Sequence, residues 1–279
     1  MKKVAIQGAL GSYHDIAAHQ YFQDEEVELI CCATFEEVFD QVLHDNKVIA
    51  LCAIENTIAG SLLHNYELLK QSGLQVVGEH KLRISHCFVC LPDEDWADLT
   101  EVNSHPIALM QCREFLNQHP TLKVVEAEDT ALSAELISRQ QLHGHAAICS
   151  RAAAERNGMK VLAAGIETNK HNFTRFLVVA DPWQVDELNR HRSKEVNKAS
   201  LVFSLPHEEG SLSQVLSILS FYHINLTKIQ SLPIIGREWE YQFYVDVVFD
   251  NVLRYKQSII AITPLTKELK ILGEYEQFQ

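Results

Sequence analysis

The sequence of 279 residues lacks a long hydrophobic run. Its longest uninterrupted apolar stretch, residues 48–54, is far shorter than the roughly 20 residues that cross a bilayer. Gln7, Gly8 and Asp15 interrupt any secretory leader near the start. Basic charge is also scarce, because 24 Lys and Arg against 37 Asp and Glu give a net charge of −13. We therefore expect a cytoplasmic protein that binds neither nucleic acid nor membranes.

The cysteines lack a pairing pattern. Their number, seven, is odd, and most have apolar neighbours, which is typical of reduced, buried thiols. Cys87 and Cys90 have the spacing of a metal or redox motif, but they fall in a strand-like run, residues 84–91. Alternation along a strand would direct them to opposite faces. We assign no metal site.

Alternating strand-like and helix-like runs fill the first 180 residues, which predicts an α/β fold with a mostly parallel, helix-flanked sheet. Ser12 with Asp15 and Thr34 with Glu37 have the spacing of helix starts. Seven of the sixteen residues in 183–198 are charged, which is typical of an exposed connector. Beyond it, the order is βαββαβ, the ferredoxin-like plan.

Four polar segments lie at predicted strand ends or helix starts, where open α/β sheets bind ligands. They are 7–13, a glycine-containing turn; 55–57, Glu-Asn-Thr; 104–112, which contains Ser104, His105 and Gln111; and 172–176, Asn-Phe-Thr-Arg-Phe. Taken singly, each is explained better as an ordinary structural feature, such as a strand-to-helix turn or a helix cap, than as a binding site.

In this order, however, the segments resemble those of the monofunctional prephenate dehydratases, which form phenylpyruvate on the route to phenylalanine. The segments that carry the resemblance are QGALGSYHDIAA, AIENTIAGSL, VNSHPIALMQC, EDTALSA, HAAICSRAAA and NFTRF. GSLSQVL and INLTKIQSLP look like parts of an ACT domain. Since the first predicted strand begins close to Met1, no chorismate mutase activity is expected.

The resemblance implies a two-lobed, periplasmic-binding-like catalytic region over residues 1–182, with the active site between the lobes. Lobe one would comprise 1–78 and 174–182, and lobe two 79–173. Residues 183–198 would form a linker, and residues 199–279 a regulatory ACT domain with the ferredoxin-like fold.

The same resemblance implies the site residues. Thr174 matches the catalytic hydroxyl, proposed to protonate the departing hydroxyl group, and Asn56 and Gln111 match catalytic, substrate-contacting positions. Further substrate-binding candidates are Ala9, Gly11, Ser12, Glu55, Thr57, Ser104, His105 and Arg175. Because the matched motifs of the catalytic region hold only two Arg, Arg151 and Arg175, and no Lys, we expect backbone amides at 9–13 and 57–61 to share the binding of the two substrate carboxylates. For Arg175 we favour bracing over substrate contact.

A phenylalanine effector site is implied in the ACT-like region. Its family motifs, Gly-Ala-Leu and Glu-Ser-Arg-Pro, correspond here to Gly210, Ser211 and Leu212 and to Gln230, Ser231, Leu232 and Pro233. The changes to Gln230 and Leu232 remove a charge and a multi-donor cation, which places the response to phenylalanine in question.

The implied reaction releases carbon dioxide and water as a ring becomes aromatic, so it requires no cofactor. Arogenate in place of prephenate is one alternative, and a non-catalytic two-lobed sensor of aromatic acids is another. Edge pairing of ACT domains through residues 224–235 predicts a homodimer or homotetramer.

Overall fold

The protein is described by a computed structural model that covers residues 1–23, 25–190 and 196–278. Its chain divides into two compact units. Unit 1 comprises Met1–Leu62 and His80–Phe176, and unit 2 comprises Leu63–Glu79 and Leu177–Gln279. These bounds differ from the predicted borders, because the segment Leu63–Glu79 groups with the C-terminal region. Part of the expected linker, 191–195, lies outside the described residues.

The strands alternate with helices through the first half of the chain. The strands are β1 (Lys2–Gln7), β2 (Val27–Cys32), β3 (Val48–Asn56), β4 (Gly60–Ser61), β5 (Gln75–Arg83), β6 (Cys87–Cys90), β7 (Glu101–Ser104), β8 (Lys123–Glu126), β9 (His145–Cys149), β10 (Lys160–Ala164), β11 (Phe173–Ala180), β12 (Lys198–Ser204), β13 (Asn225–Pro233), β14 (Tyr241–Val248) and β15 (Glu268–Tyr275). The helices are α1 (Tyr13–Tyr21), α2 (Phe35–His44), α3 (Leu63–Ser72), α4 (Pro106–Gln111), α5 (Arg113–Asn117), α6 (Thr130–Gln140), α7 (Arg151–Arg156), α8 (Pro182–Arg190), α9 (Ser211–Phe221) and α10 (Val252–Ile262).

The first sheet has the strand order β2-β1-β3-β11-β5, with β4 paired to β3. Strand β1 runs parallel to both β2 and β3. Its residues Val4, Ala5 and Ile6 are fully buried, as expected of a parallel strand that is covered on both faces. The same sheet brings the end of β3 close to the beginning of β11.

The second sheet has the order β10-β6-β9-β7-β8 and is mixed. Strand β7 runs parallel to β8 and β9, whereas β6 is antiparallel to β9 and β10. Cys87 packs in a core cluster with residues of α6, and Cys90 packs in a different cluster with residues of α4. This confirms that strand alternation separates the two thiols. All seven cysteines are free and six are buried, but Cys31 is exposed.

Local helix signals are accurate at several positions. The Oγ of Ser12 accepts a hydrogen bond from Asp15 N, and the Oγ1 of Thr34 accepts one from Glu37 N, both at 3.3 Å. The exposed connector expected over residues 183–198 needs correction, because it begins within helix α8. Helices α4 and α5 are separated at Cys112, and Gly210 is the N-cap of α9.

Unit 2 contains the antiparallel sheet β13-β14-β12-β15 with α9 and α10 packed against it. The element order βαββαβ and this strand order are those of the ferredoxin-like plan. Its core includes Phe203, Leu219 and Tyr255. In the same unit, the Glu67 carboxylate of α3 accepts hydrogen bonds from Gln242 and Tyr244. None of the helices in the described ranges is both long and apolar enough to cross a membrane.

Candidate functional site

A cavity of about 200 Å³ lies within unit 1, and we call it the Thr174 cavity. It opens beside the starts of α1, α4 and α6, the end of β3 and the start of β11. Its polar lining includes Ser12, Tyr13, His14, Asn56, His86, His105, Gln111, Asp129 and Thr174. The cavity therefore collects the three predicted catalytic residues together with two other predicted residues, Ser12 and His105.

The orientation of the Asn56 side chain is fixed by the main chain. Its Oδ1 accepts hydrogen bonds from the backbone amides of Ile58 and Ala59, at 2.9 and 2.8 Å. Its Nδ2 lies 3.0 Å from Thr174 Oγ1 and 2.7 Å from Asn172 Oδ1. Because a backbone N–H can only donate, the Asn56 oxygen must face the turn and the amide nitrogen must face Thr174.

Gln111 and Asn172 extend these contacts behind the cavity. The Nε2 of Gln111 donates to Asn56 Oδ1 at 3.3 Å, and the Nδ2 of Asn172 donates to Gln111 Oε1 at 2.9 Å. Asn172 is fully buried and Gln111 is 5% exposed. The three amides form a buried network in which each side chain both donates and accepts, so the burial of these polar groups is compensated.

His86 and Tyr13 continue the network on its other side. The Nε2 of His86 lies 2.8 Å from Gln111 Oε1, and its Nδ1 lies 2.7 Å from the Tyr13 hydroxyl. Burial lowers the pKa of His86 and raises the pKa of Tyr13 well above its usual value. Both side chains are therefore neutral near pH 7.

His14 contributes another neutral ring to the lining. Its Nε2 accepts from Ala53 N at 3.3 Å, which places the ring proton on Nδ1. The rings of Phe35 and Phe176 lie 5.6 and 5.0 Å away, centroid to centroid. Burial lowers the pKa of His14 to about 4.

The charge of the cavity is negative rather than positive. Neither lysine nor arginine lines it in the described part of the chain, whereas Glu128 and Asp129 do. Asp129 caps α6 by accepting from Leu132 N at 2.8 Å, and burial raises the pKa of this carboxyl group. Burial also lowers the pKa of His105. In residues 1–23, 25–190 and 196–278, no group of three or more His, Cys, Asp or Glu side chains is arranged to hold a metal ion.

Several predicted substrate-binding residues do not line the cavity. Ser104 is fully buried and donates to Ile148 O at 2.6 Å. Arg175 is 6% exposed and lies 3.4 Å from the Glu55 carboxylate, because strand alternation carries it away from Thr174. The Oγ1 of Thr57 donates to His171 O and accepts from Phe173 N, each at 2.9 Å. Thr57 and the Arg175–Glu55 pair therefore hold the segment that presents Thr174, whereas Ser104 joins β7 to β9.

The amides expected to cradle an anion are partly occupied. Gly11 N donates to Asp15 Oδ2 at 2.6 Å, and Ser12 N donates to Ala9 O at 3.1 Å. A side chain at Gly11 would meet the backbone of Ala153, so this turn is also closed sterically. In the second turn, the amides of residues 58 and 59 are taken by Asn56. The amides of residues 11, 12, 58 and 59 are therefore already engaged within the protein, and carboxylate binding by the other amides of the two turns stays a prediction.

Sequence reasoning missed Tyr13, His14, His86, Asn172 and Asp129 as members of the site. All of these except His86 stand inside the segments that carry the family resemblance, so proximity to the matched residues was the signal that could have found them. His86 follows a strand and carries no comparable signal. Its role depends on Gln111, which is 25 residues away in the chain.

The predicted effector residues lie in unit 2. Gly210, Ser211 and Leu212 stand at the start of α9, and residues 230–233 belong to β13. A cavity of about 140 Å³ is lined by Ser211 and Leu212 together with residues that include Trp239 and Tyr241. Residues 230–233 do not contribute to its lining.

The family profile described as "Prephenate dehydratase" matches residues 4–183 of this chain. Arogenate dehydratase 5, chloroplastic, of Arabidopsis thaliana is 35% identical over 291 aligned residues, which cover 98% of this chain and 67% of that protein. The bifunctional chorismate mutase/prephenate dehydratase of Escherichia coli K12 is 30% identical over 283 residues, covering 98% of this chain and 70% of the relative.

The fold is also similar to a solved structure. The crystal structure of a prephenate dehydratase from Arthrobacter aurescens, in complex with L-Phe, superposes with a TM-score of 0.84 at 24% identity. The superposition covers 98% of this chain and 89% of that one. It therefore extends over both compact units of the chain.

Proposed function

This chain belongs to the prephenate dehydratase family and is an enzyme that dehydrates prephenate, and we propose that the Thr174 cavity is where the reaction takes place. The bond from the ring to its carboxylate breaks, and its electron pair completes the aromatic ring as the C–O bond breaks. The hydroxyl group takes up one proton and leaves as water. Prephenate and one proton thus give phenylpyruvate, carbon dioxide and water.

Thr174 is the proposed proton donor, and solvent restores its proton afterwards. The single observation that carries this role is the 3.0 Å contact from Asn56 Nδ2 to Thr174 Oγ1. By donating to the oxygen, Asn56 polarises the hydroxyl and stabilises negative charge that develops there. A weak acid such as threonine needs this assistance.

The substrate carboxylates would be held without a salt bridge. The starts of α1 and α6 contribute the positive ends of helix dipoles to the cavity wall. A weak grip on the ring carboxylate suits the reaction, because tight binding of that charge would oppose the loss of carbon dioxide. Arg175, paired with Glu55, braces the strand instead.

Arogenate is the alternative substrate, since it differs from prephenate in carrying an amino group where prephenate has a keto group. The similarity to a relative named arogenate dehydratase supports this alternative. The negative lining, Glu128 and Asp129, would suit an ammonium group. Relative kcat/KM values on the two compounds decide between them.

The regulatory part of the proposal is that residues 199–279 form an ACT domain, with phenylalanine as the effector. The ferredoxin-like order of unit 2 and the similarity to a structure solved with L-Phe support it. Strand β13 is an edge strand with alternating exposure, and its pairing with a second copy would give a homodimer or homotetramer. We place this enzyme in the cytoplasm.

One experiment tests the catalytic proposal. Initial rates of Thr174→Ala, Thr174→Ser and the matched control Thr121→Ala, an exposed threonine, are measured on prephenate and arogenate, with and without phenylalanine, alongside the oligomer size. We expect Thr174→Ala to lose about 10³-fold in kcat, with Thr174→Ser retaining much of the rate. Unchanged turnover in Thr174→Ala would remove this residue from the mechanism.

A further inference from the structure

The buried amides behind the Thr174 cavity form a closed ring. Asn56 Nδ2 donates to Asn172 Oδ1 at 2.7 Å, Asn172 Nδ2 donates to Gln111 Oε1 at 2.9 Å, and Gln111 Nε2 returns to Asn56 Oδ1 at 3.3 Å. Each side chain gives one hydrogen and receives one. Taken alone, such a ring could run in either direction, because rotating all three amides by a half turn reverses every donor and acceptor.

Two contacts outside the ring remove this ambiguity. The backbone amides of Ile58 and Ala59 both point at Asn56 Oδ1, and neither can become an acceptor. With the Asn56 oxygen fixed there, Asn172 must accept through its oxygen and Gln111 must offer its nitrogen to Asn56. The direction of the whole ring is thus set by one turn of main chain.

The direction of the ring decides what Thr174 can do. One Asn56 Nδ2 hydrogen serves Asn172, and the other lies between Thr174 Oγ1 at 3.0 Å and Phe173 O at 3.2 Å. The threonine oxygen is therefore an acceptor toward Asn56. Its own hydrogen remains available to a molecule in the cavity, which is the state that proton donation requires.

His86 contacts the ring from outside, at Gln111. Since Gln111 Oε1 is an acceptor, the His86 Nε2 at 2.8 Å must carry the proton. The bare Nδ1 then faces the Tyr13 hydroxyl at 2.7 Å, which can donate to it or to Ser85 O at 2.9 Å. His86 N donates to the buried Glu167 carboxylate at 2.9 Å, so the ring is also held through its backbone.

We infer that Asn172 and His86 are positioning residues of this enzyme: the main-chain turn sets the direction of the ring, and these two side chains hold Gln111 and Asn56 in place, so that Asn56 Nδ2 stays directed at Thr174 Oγ1 and the Thr174 hydroxyl hydrogen stays free for the substrate. The inference rests on the proposed function of Thr174 and extends it to two residues that act on Thr174 through other side chains. Asn172 is fully buried behind Asn56, and His86 acts through Gln111.

The first test replaces a donor in the ring by an acceptor of the same shape. In Asn172→Asp, two oxygens face each other at Gln111 Oε1, so we expect kcat to fall about 10²-fold or more while KM changes less than about threefold. The matched control is Asn169→Asp in the same segment, where Asn169 is exposed and its Oδ1 accepts from His171 N. An aspartate keeps that contact, and the control should retain the wild-type rate.

The second test separates positioning from packing at His86. A glutamine places its amide nitrogen near the position of Nε2, whereas an asparagine places it near Nδ1. We expect His86→Gln to keep kcat within about fivefold of wild type and His86→Asn to lose about 10²-fold. Thermal unfolding of both variants measures packing. Equal losses of kcat in the two variants, or losses that simply follow the melting temperature, overturn the inference.

A spectroscopic measurement keeps this inference separate from the proposed function. In ¹⁵N-histidine-labelled protein, His86 should have a protonated Nε2 and an unprotonated Nδ1 at neutral pH, with the Nδ1 signal shifting in Tyr13→Phe. If the wild type converts neither prephenate nor arogenate, the proposed function fails, and the His86 signal alone then tests whether the hydrogen bonds of the ring run in the stated direction. If the wild type is active and Asn172→Asp equals Asn169→Asp, the inference fails and the function stands.

Discussion

The two compact units bury polar side chains in opposite ways. In unit 1, the neutral amides of Asn56, Gln111 and Asn172 satisfy one another at 9%, 5% and 0% exposure. In unit 2, Glu79 and Lys198 are each 3% exposed and form an ion pair with Nζ–O distances of 2.8 and 3.0 Å. Phe278 N also donates to the Glu79 carboxylate at 3.0 Å.

The difference concerns what each network tolerates. Removing an ion from water costs several kcal/mol, so each partner of a buried pair depends on the other. A buried amide loses much less when one contact changes. The Thr174 cavity in unit 1, where substrate must enter and leave, is thus lined by the amide network, which loses less free energy when one contact changes. The core of unit 2 contains the ion pair, which costs more free energy to break.

The largest expected effect is on stability in unit 2. Lys198→Met removes the cation that faces the buried Glu79 carboxylate, so we expect a loss of about 3–5 kcal/mol in the free energy of unfolding. Urea denaturation measures it. The control is Lys123→Met, which breaks the exposed pair with Glu101 and should cost no more than about 1 kcal/mol. Similar losses in the two variants would show that burial does not distinguish these pairs.

A smaller loss in the free energy of unfolding is expected when acid protonates His14 in unit 1. The folded-state pKa of His14, about 4, lies below the usual value near 6.5, so the unfolded chain binds the proton first as the pH falls. Stability from this group is complete above about pH 6.5 and is lost toward pH 4, by about 3 kcal/mol. His14→Gln should flatten this part of the stability–pH curve, and the exposed His44→Gln should not. Parallel curves for wild type and His14→Gln would contradict this prediction.

The smallest loss of stability is expected at Tyr13, which contacts the neutral network only through His86. Tyr13→Phe removes the hydroxyl that faces His86 Nδ1 and leaves the amide ring intact. We expect a loss of about 1 kcal/mol in the free energy of unfolding and a decrease in kcat below about tenfold. Denaturation and initial rates on prephenate are the measurements. A loss as large as that of Lys198→Met would mean that the neutral network is no more tolerant than the ion pair.

Local signals in the sequence predicted much of the fold. A cap such as Thr34 binds an amide three residues away, so its effect can be recognised in a short segment. The ferredoxin-like order and the opposed faces of Cys87 and Cys90 follow from strand patterning. The connector helix α8 was not predicted, because its sequence lacks a sustained apolar period.

The site required more than local patterning. Asn56, Gln111 and Thr174 could be identified by family resemblance, and the structure brings them to one cavity. The roles of Asn172 and His86 could not be identified in this way, because they arise from hydrogen bonds between residues 116, 61 and 25 positions apart. Such contacts depend on how distant segments of unit 1 fold together, which periodicity does not encode.

The amide ring makes the geometry of the site insensitive to pH. Amide groups do not titrate, so acidification of the solution leaves their donors and acceptors where they are. The one titrating group among the described contacts of Gln111, His86, has a pKa that burial moves further from neutrality. A change in pH near neutrality should therefore leave the orientation of the Thr174 hydroxyl unchanged.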